Sequence, residues 1–389
     1  MHSEVLSCCG VRLAHACMVL GLAAALPECV RRDVCAPTVA AGPREANVSS
    51  SGRQPHAIQG EVVVALDKNI GIVYVAKDNT RWFGSNGSGV YRSDGKTIVQ
   101  FTTEHGLTGD DVRDIQEDRA GNILVASEPG GISRFDGRAF SQLPVVADPP
   151  KNQWSLGPDD LWFRGGQDSG VVYRYDGATL HRLALPKTGP GEEHIAMYPR
   201  SKFPGMKYSP YDVYTIYRDR KGHLWFGTGS LGVCRYDGTS FVWAPKTEVG
   251  FGPNDSFGVR SIIEGRDGRF WFSNTFNRYD VHTGTSPSAD GHGTRHLRFT
   301  KEPGIDRASD KVAFFMSSAV DGNGDLWLAT YADVWRYDGK TITRVPVESA
   351  DGPVMLLSMT RDQRGDLWLG TRAHGVFKFN GGVFKRFAP

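Results

Sequence analysis

The stretch Gly222–Gly238, GHLWFGTGSLGVCRYDG, joins an apolar burst, a glycine-rich step, an alternating segment and an Asp-Gly turn. Close variants of it recur along the chain. Aligned on the turn, they read RWFGSNGSGVYRSDG, NILVASEPGGISRFDG, LWFRGGQDSGVVYRYDG, LWFGTGSLGVCRYDG, FWFSNTFNRYD, LWLATYADVWRYDG and LWLGTRAHGVFKFNG. The turn positions are Asp94, Asp136, Asp176, Asp237, Asp280, Asp338 and Asn380, with successive spacings of 42, 40, 61, 43, 58 and 42 residues. The base period is near 42, and two longer gaps hold insertions. Periods of this length mark repeat architectures.

Each unit reads as four strands. A segment such as VYTIYRDRKGH gives a first strand and a polar turn. The LWFGT strand follows, then a glycine-rich step, GVCRYD, the Asp-Gly turn and a fourth strand such as TSFVWAP. β-branched and aromatic residues favour strands, and Asp-Gly favours tight reversals. Four antiparallel strands with short turns make a propeller blade. The expected fold is therefore all-β, a seven-bladed β-propeller of four-stranded antiparallel blades over residues 58–389. Trp82, Trp162, Trp225, Trp271, Trp327 and Trp368 occupy one column, with Leu124 in the second copy. That column reads as core between blades. The segment AIQGEVVVAL precedes the first blade and is expected to pair at the seam of the ring.

Composition agrees. The chain has 389 residues, 47 of them glycine, with 11% aromatics and a net charge of only +2. No clean helical period is present, and the charge points to neither nucleic acid nor an anionic membrane. Arg12 precedes an apolar run, Leu13–Leu26, that suits the core of a secretory signal but is short for a membrane span. Residues 1–28 are read as a signal peptide or lipoprotein-like leader and residues 29–57 as a disordered linker. Five of six cysteines lie in these segments, and only Cys234 lies in the repeats. Cys29 stands three residues after Leu26, as in a lipidation signal, although Glu28 is not the usual small residue before it. The expected location is extracytoplasmic, periplasmic or secreted, with no transmembrane span in the mature chain.

Strand topology then divides the disc. With strands a to d numbered from the axis outward, the a–b and c–d turns share one face, where the monotonous DRKGH and YDG sequences fall. The b–c turns and the crossovers to the next blade share the other. That face takes the variable loops and, on this reading, both insertions, Leu185–Tyr211 and Thr283–Lys311. Function concentrates in variable loops on a rigid scaffold. Candidates near the central mouth are Arg113, Tyr211, Tyr214, Arg260 and Phe314, and the b–c loops add Gln167, Tyr331, Arg372 and His374. Tyrosine and arginine beside apolar rings suit carbohydrate or carboxylate ligands. No phosphate loop, nucleophile elbow or His-Glu-x-x-His is present. Asp290, His292 and His296 are metal-ligand types in a glycine-rich loop without ordered spacing, and Glu192, Glu193 and His194 are adjacent residues whose side chains diverge on an extended chain. No catalytic residue, metal site or cofactor is expected.

GLTGDDVRDIQEDRAGN with GGISRFDG, YTIYRDRKGHLWFGTGSLGVCRYDG and TRDQRGDLWLGTRAHGVFKFNG resemble the two-component-regulator propeller repeat. The resemblance covers residues 58–389. It implies an extracytoplasmic ligand-sensing propeller, here in stand-alone form since the chain stops at KRFAP. It also implies a small-molecule or oligosaccharide ligand or a membrane signalling protein as partner. The third unit departs by lacking the usual a–b turn, and the fifth by reading NRYDVHTG. The chain also resembles the streptogramin lyases, seven-bladed propellers that would need a His/Glu set with a divalent metal. A protein-interaction scaffold on the same face is a third possibility.

Overall fold

The computed structural model describes residues 59–146, 154–165, 170–199, 201–203, 209–244, 246–250, 257–286, 294–304 and 310–388. The leader and linker assigned to residues 1–57 lie outside them. Nearly every element is a strand. The unit that carries the opening phrase, blade 4, runs Val213–Arg218, Leu224–Thr228, Val233–Tyr236 and Phe241–Ala244 from the axis outward, each antiparallel to the next. Blades 1, 2, 5, 6 and 7 repeat this order, with innermost strands Ile70–Val75, Asp111–Glu117, Ile262–Glu264, Ser317–Val320 and Leu356–Arg361. The described residues form an all-β propeller whose sheets, in their order along the chain, are consistent with seven blades.

The repeated phrase exists because each blade needs the same joint. Trp225 is 1% exposed, packs on Phe270 and Phe272 of the next blade, and donates from Nε1 to Asp219 Oδ2 at 2.9 Å. Asp219 Oδ1 accepts the backbone N–H groups of Lys221 and His223, so one carboxylate closes the a–b turn and satisfies the buried indole. The pairs Asp321–Trp327 and Asp362–Trp368 are built the same way. Where Leu124 replaces the tryptophan, Asp118 Oδ2 instead accepts from Asn122 Nδ2 at 2.8 Å. Position 156 of the third unit is Leu, and the indole nitrogen of Trp162 has no partner among the described residues.

At the c–d turns the acidic residue has another task. Asp237 Oδ1 accepts from the N–H groups of Thr239 and Ser240, while Gly238 takes φ 93°. The same pair of bonds recurs at Asp94, Asp136, Asp176 and Asp338.

A second column sets the inner packing. The residue two after each tryptophan position is Gly84, Ala126, Arg164, Gly227, Ser273, Ala329 or Gly370. A Cβ on Gly84 would sit 2.5 Å from Val112 Cγ1, one on Gly227 2.4 Å from the Val259 carbonyl oxygen, and one on Gly370 2.8 Å from the Ile70 and Gly71 carbonyl oxygens. Those neighbours all belong to, or lead into, the innermost strand of the next blade. Blade 3 breaks the column with Arg164, and it breaks the blade order too. Its strands are Leu161–Arg164, Val171–Tyr175 and Leu180–Ala184, with Val145–Val146 added in parallel outside the last. Among the described residues no strand stands inside Leu161–Arg164. Residues 147–153, where the repeat would place an inner strand, lie outside the described residues, and the described strands depart from the antiparallel expectation only where Val145–Val146 pairs in parallel with Leu180–Ala184.

Two other expectations are corrected. The segment before blade 1 does not exchange strands across the seam. Glu61–Val63 pairs with Ile98–Phe101 as a fifth, outer strand of blade 1. Closure rests on the Ile70–Thr371 pair, the Gly375 N–H to Lys68 carbonyl bond, and Trp368 and Val376 packed among Ile70, Val73 and Phe83. The second insertion, Thr283–Lys311, is mostly not a crossover loop. It prolongs the c–d hairpin of blade 5 as paired strands Asn277–Ser286 and Thr294–Pro303, in continuous register from Asn277–Pro303 to Ser286–Thr294. With Val281 after Asp280 in place of the turn glycine, the ladder runs on. The hairpin thus extends from the monotonous face, where Arg295 meets Asp237 at 2.8 Å. Asp290 and His292 lie outside the described residues.

Replacing Trp225 by alanine should cost about 3–5 kcal/mol, the range for a buried large aromatic. Equilibrium urea denaturation measures it, and a loss below about 1 kcal/mol would contradict the joint described above. The c–d turns predict an acid response. The Asp338 carboxyl is lowered to about 2 by the Thr341 and Lys340 N–H groups. Desolvation opposes the shift at Asp176, yet the Thr179 N–H, the His181 ring and the Ala178 N–H bring it to about 2 as well. Depressed folded-state values stabilise above the unfolded carboxylate range and lose that contribution as pH falls. Stability should therefore fall between about pH 4 and 2, and Asp176→Asn should flatten that part of a stability–pH curve.

Candidate functional site

The irregular third blade opens a cavity of about 580 Å³ at the axis. It is walled by the b–c residues Glu128 and Pro129 of blade 2, by Arg164 and Tyr173 of blade 3, and by Asp212 and Tyr214 where the chain enters blade 4. A second space of about 410 Å³ lies along the inner strands. Arg113, Arg164, Tyr214 and Arg260 line both, so these four residues stand where the mouth meets the channel.

Arg164 holds this geometry. Its guanidinium donates from Nη1 to the Tyr214 carbonyl at 3.1 Å and from Nη2 to the Arg113 carbonyl at 2.9 Å. Those carbonyls belong to the innermost strands of blades 4 and 2, on either side of blade 3. Gln116 Nε2 adds a bond to the Trp162 carbonyl at 2.9 Å and one to Asp114 Oδ2 at 2.7 Å. These side-chain bonds tie blade 3 to the innermost strands of blades 2 and 4. Burial lowers the Arg164 pKa, Asp114 opposes that shift, and Arg113 and Arg260 add to it. Desolvation in the channel raises the Asp114 carboxyl, against the bond from Gln116 and the charge of Arg164.

The remaining charges divide sharply. Arg113 Nη2 pairs with Asp111 at 2.8 Å and Glu128 at 2.9 Å. Desolvation raises the Asp111 carboxyl, Arg113 opposes this, and Glu128 reinforces it. Asp212 accepts the Ser209 N–H at 2.9 Å. Arg260 is different. Its guanidinium carbon sits 4.3 Å from the Tyr214 ring centre and 5.3 Å from that of Phe257, and among the described residues it has no carboxylate partner. Arginine stacked on aromatic faces keeps its edge donors available.

The structure places the sequence candidates unevenly. Arg113, Tyr214 and Arg260 meet on the cavity wall. Phe314 and Tyr331 pack edge-on to Phe257, at 5.1 and 6.3 Å, and so stand behind Arg260. Tyr211 is not at the mouth. It is 2% exposed, and its hydroxyl accepts from the Thr188 N–H at 2.7 Å and donates to the Thr188 carbonyl, anchoring the helix Gly189–Met197 of the first insertion. Arg372 is exposed beside Met355, and the His374 N–H caps Thr371 Oγ1 in its own b–c turn; neither lines the cavity. Gln167 lies outside the described residues. Sequence reasoning passed over Arg164, Glu128 and Asp114. The signal for Arg164 was present: one long, charged residue in a column otherwise restricted to Gly, Ala and Ser.

Residues 207–230 match the family model described as two component regulator propeller. No curated protein sequence matches the chain. Among solved structures, the chain is similar to virginiamycin B lyase from Staphylococcus aureus. The identity is 15%, 82% of this chain and 97% of that one are covered, and the TM-score is 0.53. It is similar to YCF48 from Cyanidioschyzon merolae at 16% identity, 82% and 98% coverage and TM-score 0.51. It also matches the extracellular domain of a proposed one component system from B. thetaiotaomicron at 18% identity and TM-score 0.49, covering 83% of this chain but only 40% of that one. At these identities the likeness is one of fold.

Arg164→Ala removes two charge-assisted bonds to inner-strand carbonyls, which should cost about 1–3 kcal/mol. Chemical denaturation tests it. A loss under about 0.5 kcal/mol would show that the two flanking strands hold their places without this bridge.

Proposed function

We propose that the chain is a non-catalytic, extracytoplasmic binding or sensor propeller that takes a small ligand, such as an oligosaccharide, reversibly at the mouth beside blade 3. The observation that carries this reading is Arg260, stacked on Tyr214 and Phe257 at the edge of a 580 Å³ cavity with its polar edge uncommitted. A concave site with a few convergent polar groups is the usual form of a ligand site. The space is of small-molecule size, and aromatic faces beside charged donors suit sugars and organic acids. The repeat family supports a sensing role, and the leader-like N-terminus supports export. Among the described residues no helix is long and apolar enough to cross a membrane. A membrane signalling protein is the downstream partner this reading implies.

A thermal-shift screen of glycans and metabolites on the full chain, followed by calorimetry, tests the reading. Tyr214→Ala should weaken binding of a confirmed ligand roughly five- to thirty-fold, matching a 1–2 kcal/mol contact. Lys96→Ala, at the c–d turn of the opposite face, should leave affinity unchanged. Equal losses from both variants would move the site elsewhere. Turnover of the ligand abolished by EDTA would replace this reading with a metal-dependent lyase.

A further inference from the structure

We propose that the ligand of this cavity bears a carboxylate and that Arg260 receives it; the proposal rests on the site assigned above and narrows its ligand class. The argument begins with how the wall's charges are committed. Arg113 is divided between Asp111 and Glu128. Arg164 spends both terminal nitrogens on the Tyr214 and Arg113 carbonyls. Asp114 holds Gln116 and its neighbour's N–H, and Asp212 holds the Ser209 turn. Every other charged side chain on the wall therefore has a named partner. Among the described residues the Arg260 guanidinium meets two rings and no hydrogen-bond acceptor, while its backbone N–H donates to Ser273 Oγ at 2.7 Å and fixes the main chain.

The rings do more than fill space. Contact with the Tyr214 and Phe257 rings, at 4.3 and 5.3 Å from their centres, restricts the positions open to the guanidinium. Phe257 is itself braced by Phe314 and Tyr331. A planar fork of donors held this way matches a carboxylate in two-point contact, and its ordering cost has been met before the ligand arrives. A phosphate or sulfate dianion suits the wall less well. Glu128 and Asp212 stand on the same surface and oppose a second negative charge. Tyr173, on the same wall, offers a hydroxyl to the rest of a ligand.

The test uses paired probes that differ only in this group: glucuronate against glucose, galacturonate against galactose, and benzoate against benzyl alcohol. Each is titrated calorimetrically into the full chain at low and at physiological salt. At least one acid should bind while its neutral partner binds more than about tenfold more weakly, and its affinity should fall with salt. Arg260→Lys should lose about tenfold and Arg260→Gln about a hundredfold, the range for a charge-assisted pair. Thermal melting confirms that both variants fold, and Lys96→Ala should match the parent. Neutral probes binding as tightly as the acids, or Arg260→Gln binding the acid unchanged, would overturn the carboxylate assignment while leaving the cavity as a binding site. Failure of every acid to bind would overturn it too. Binding lost in Tyr214→Ala but kept in Arg260→Gln would locate the ligand on the ring and not on the charge.

Discussion

The close approach of the second strand of each blade to the innermost strand of the next governs this molecule. At Gly84, Gly227 and Gly370 there is no space for even a methyl group, because backbone or a β-branched side chain of the neighbouring blade already occupies it. Contact at that distance draws the blades into a tight ring and leaves only a narrow channel. The cavity appears where this constraint is lifted. Arginine replaces the small residue, the inner strand is absent among the described residues, and a guanidinium spans the interval between blades 2 and 4. Site and scaffold are two outcomes of one packing rule.

The same residue type does opposite work in different parts of the ring. Aspartates in the turns accept backbone N–H groups and, in the a–b turns, a buried indole. Those bonds favour the ionised form, which is why the c–d carboxyls sit below the usual range. Around the cavity, desolvation dominates instead and raises Asp111 and Asp114. An abundance of aspartate in a sequence therefore carries little functional information here. The informative acids are the few whose environment pushes them the other way.

Most of the fold was legible because it is written seven times. The turn aspartates and the 42-residue spacing have a local cause that a single blade contains, and the tryptophan column shows because its joint to the next blade recurs with every repeat. The site was legible only in part, because it depends on contacts between blades. Arg113, Tyr214 and Arg260 were recoverable from topology, since each lies where an innermost strand begins. Tyr211 sits two residues before such a strand, yet its hydroxyl turns back to the inserted helix, a contact that no spacing predicts. The Thr283–Lys311 insertion was assigned to the wrong face because a lost Asp-Gly reversal reads as a loop, whereas the ladder simply lengthens. Arg372 and His374 share a loop class with true wall residues but stand on blade 7, away from the widened side.

A ring with one altered blade is well suited to recognition. Six regular blades fix the positions of the strands on either side of blade 3, so the cavity's width is set by packing far from it. Within that frame the polar groups differ in their freedom. Arg113 and Arg164 are tied to carboxylates and carbonyls, and their bonds maintain the walls. Arg260 is positioned by rings, which restrict it without consuming its donors. A ligand can then exchange water for protein at one prepared group without breaking the bonds that keep the cavity open. That separation between charges that build the site and the charge that remains available is the feature that distinguishes this mouth from the repeated turns on the opposite face.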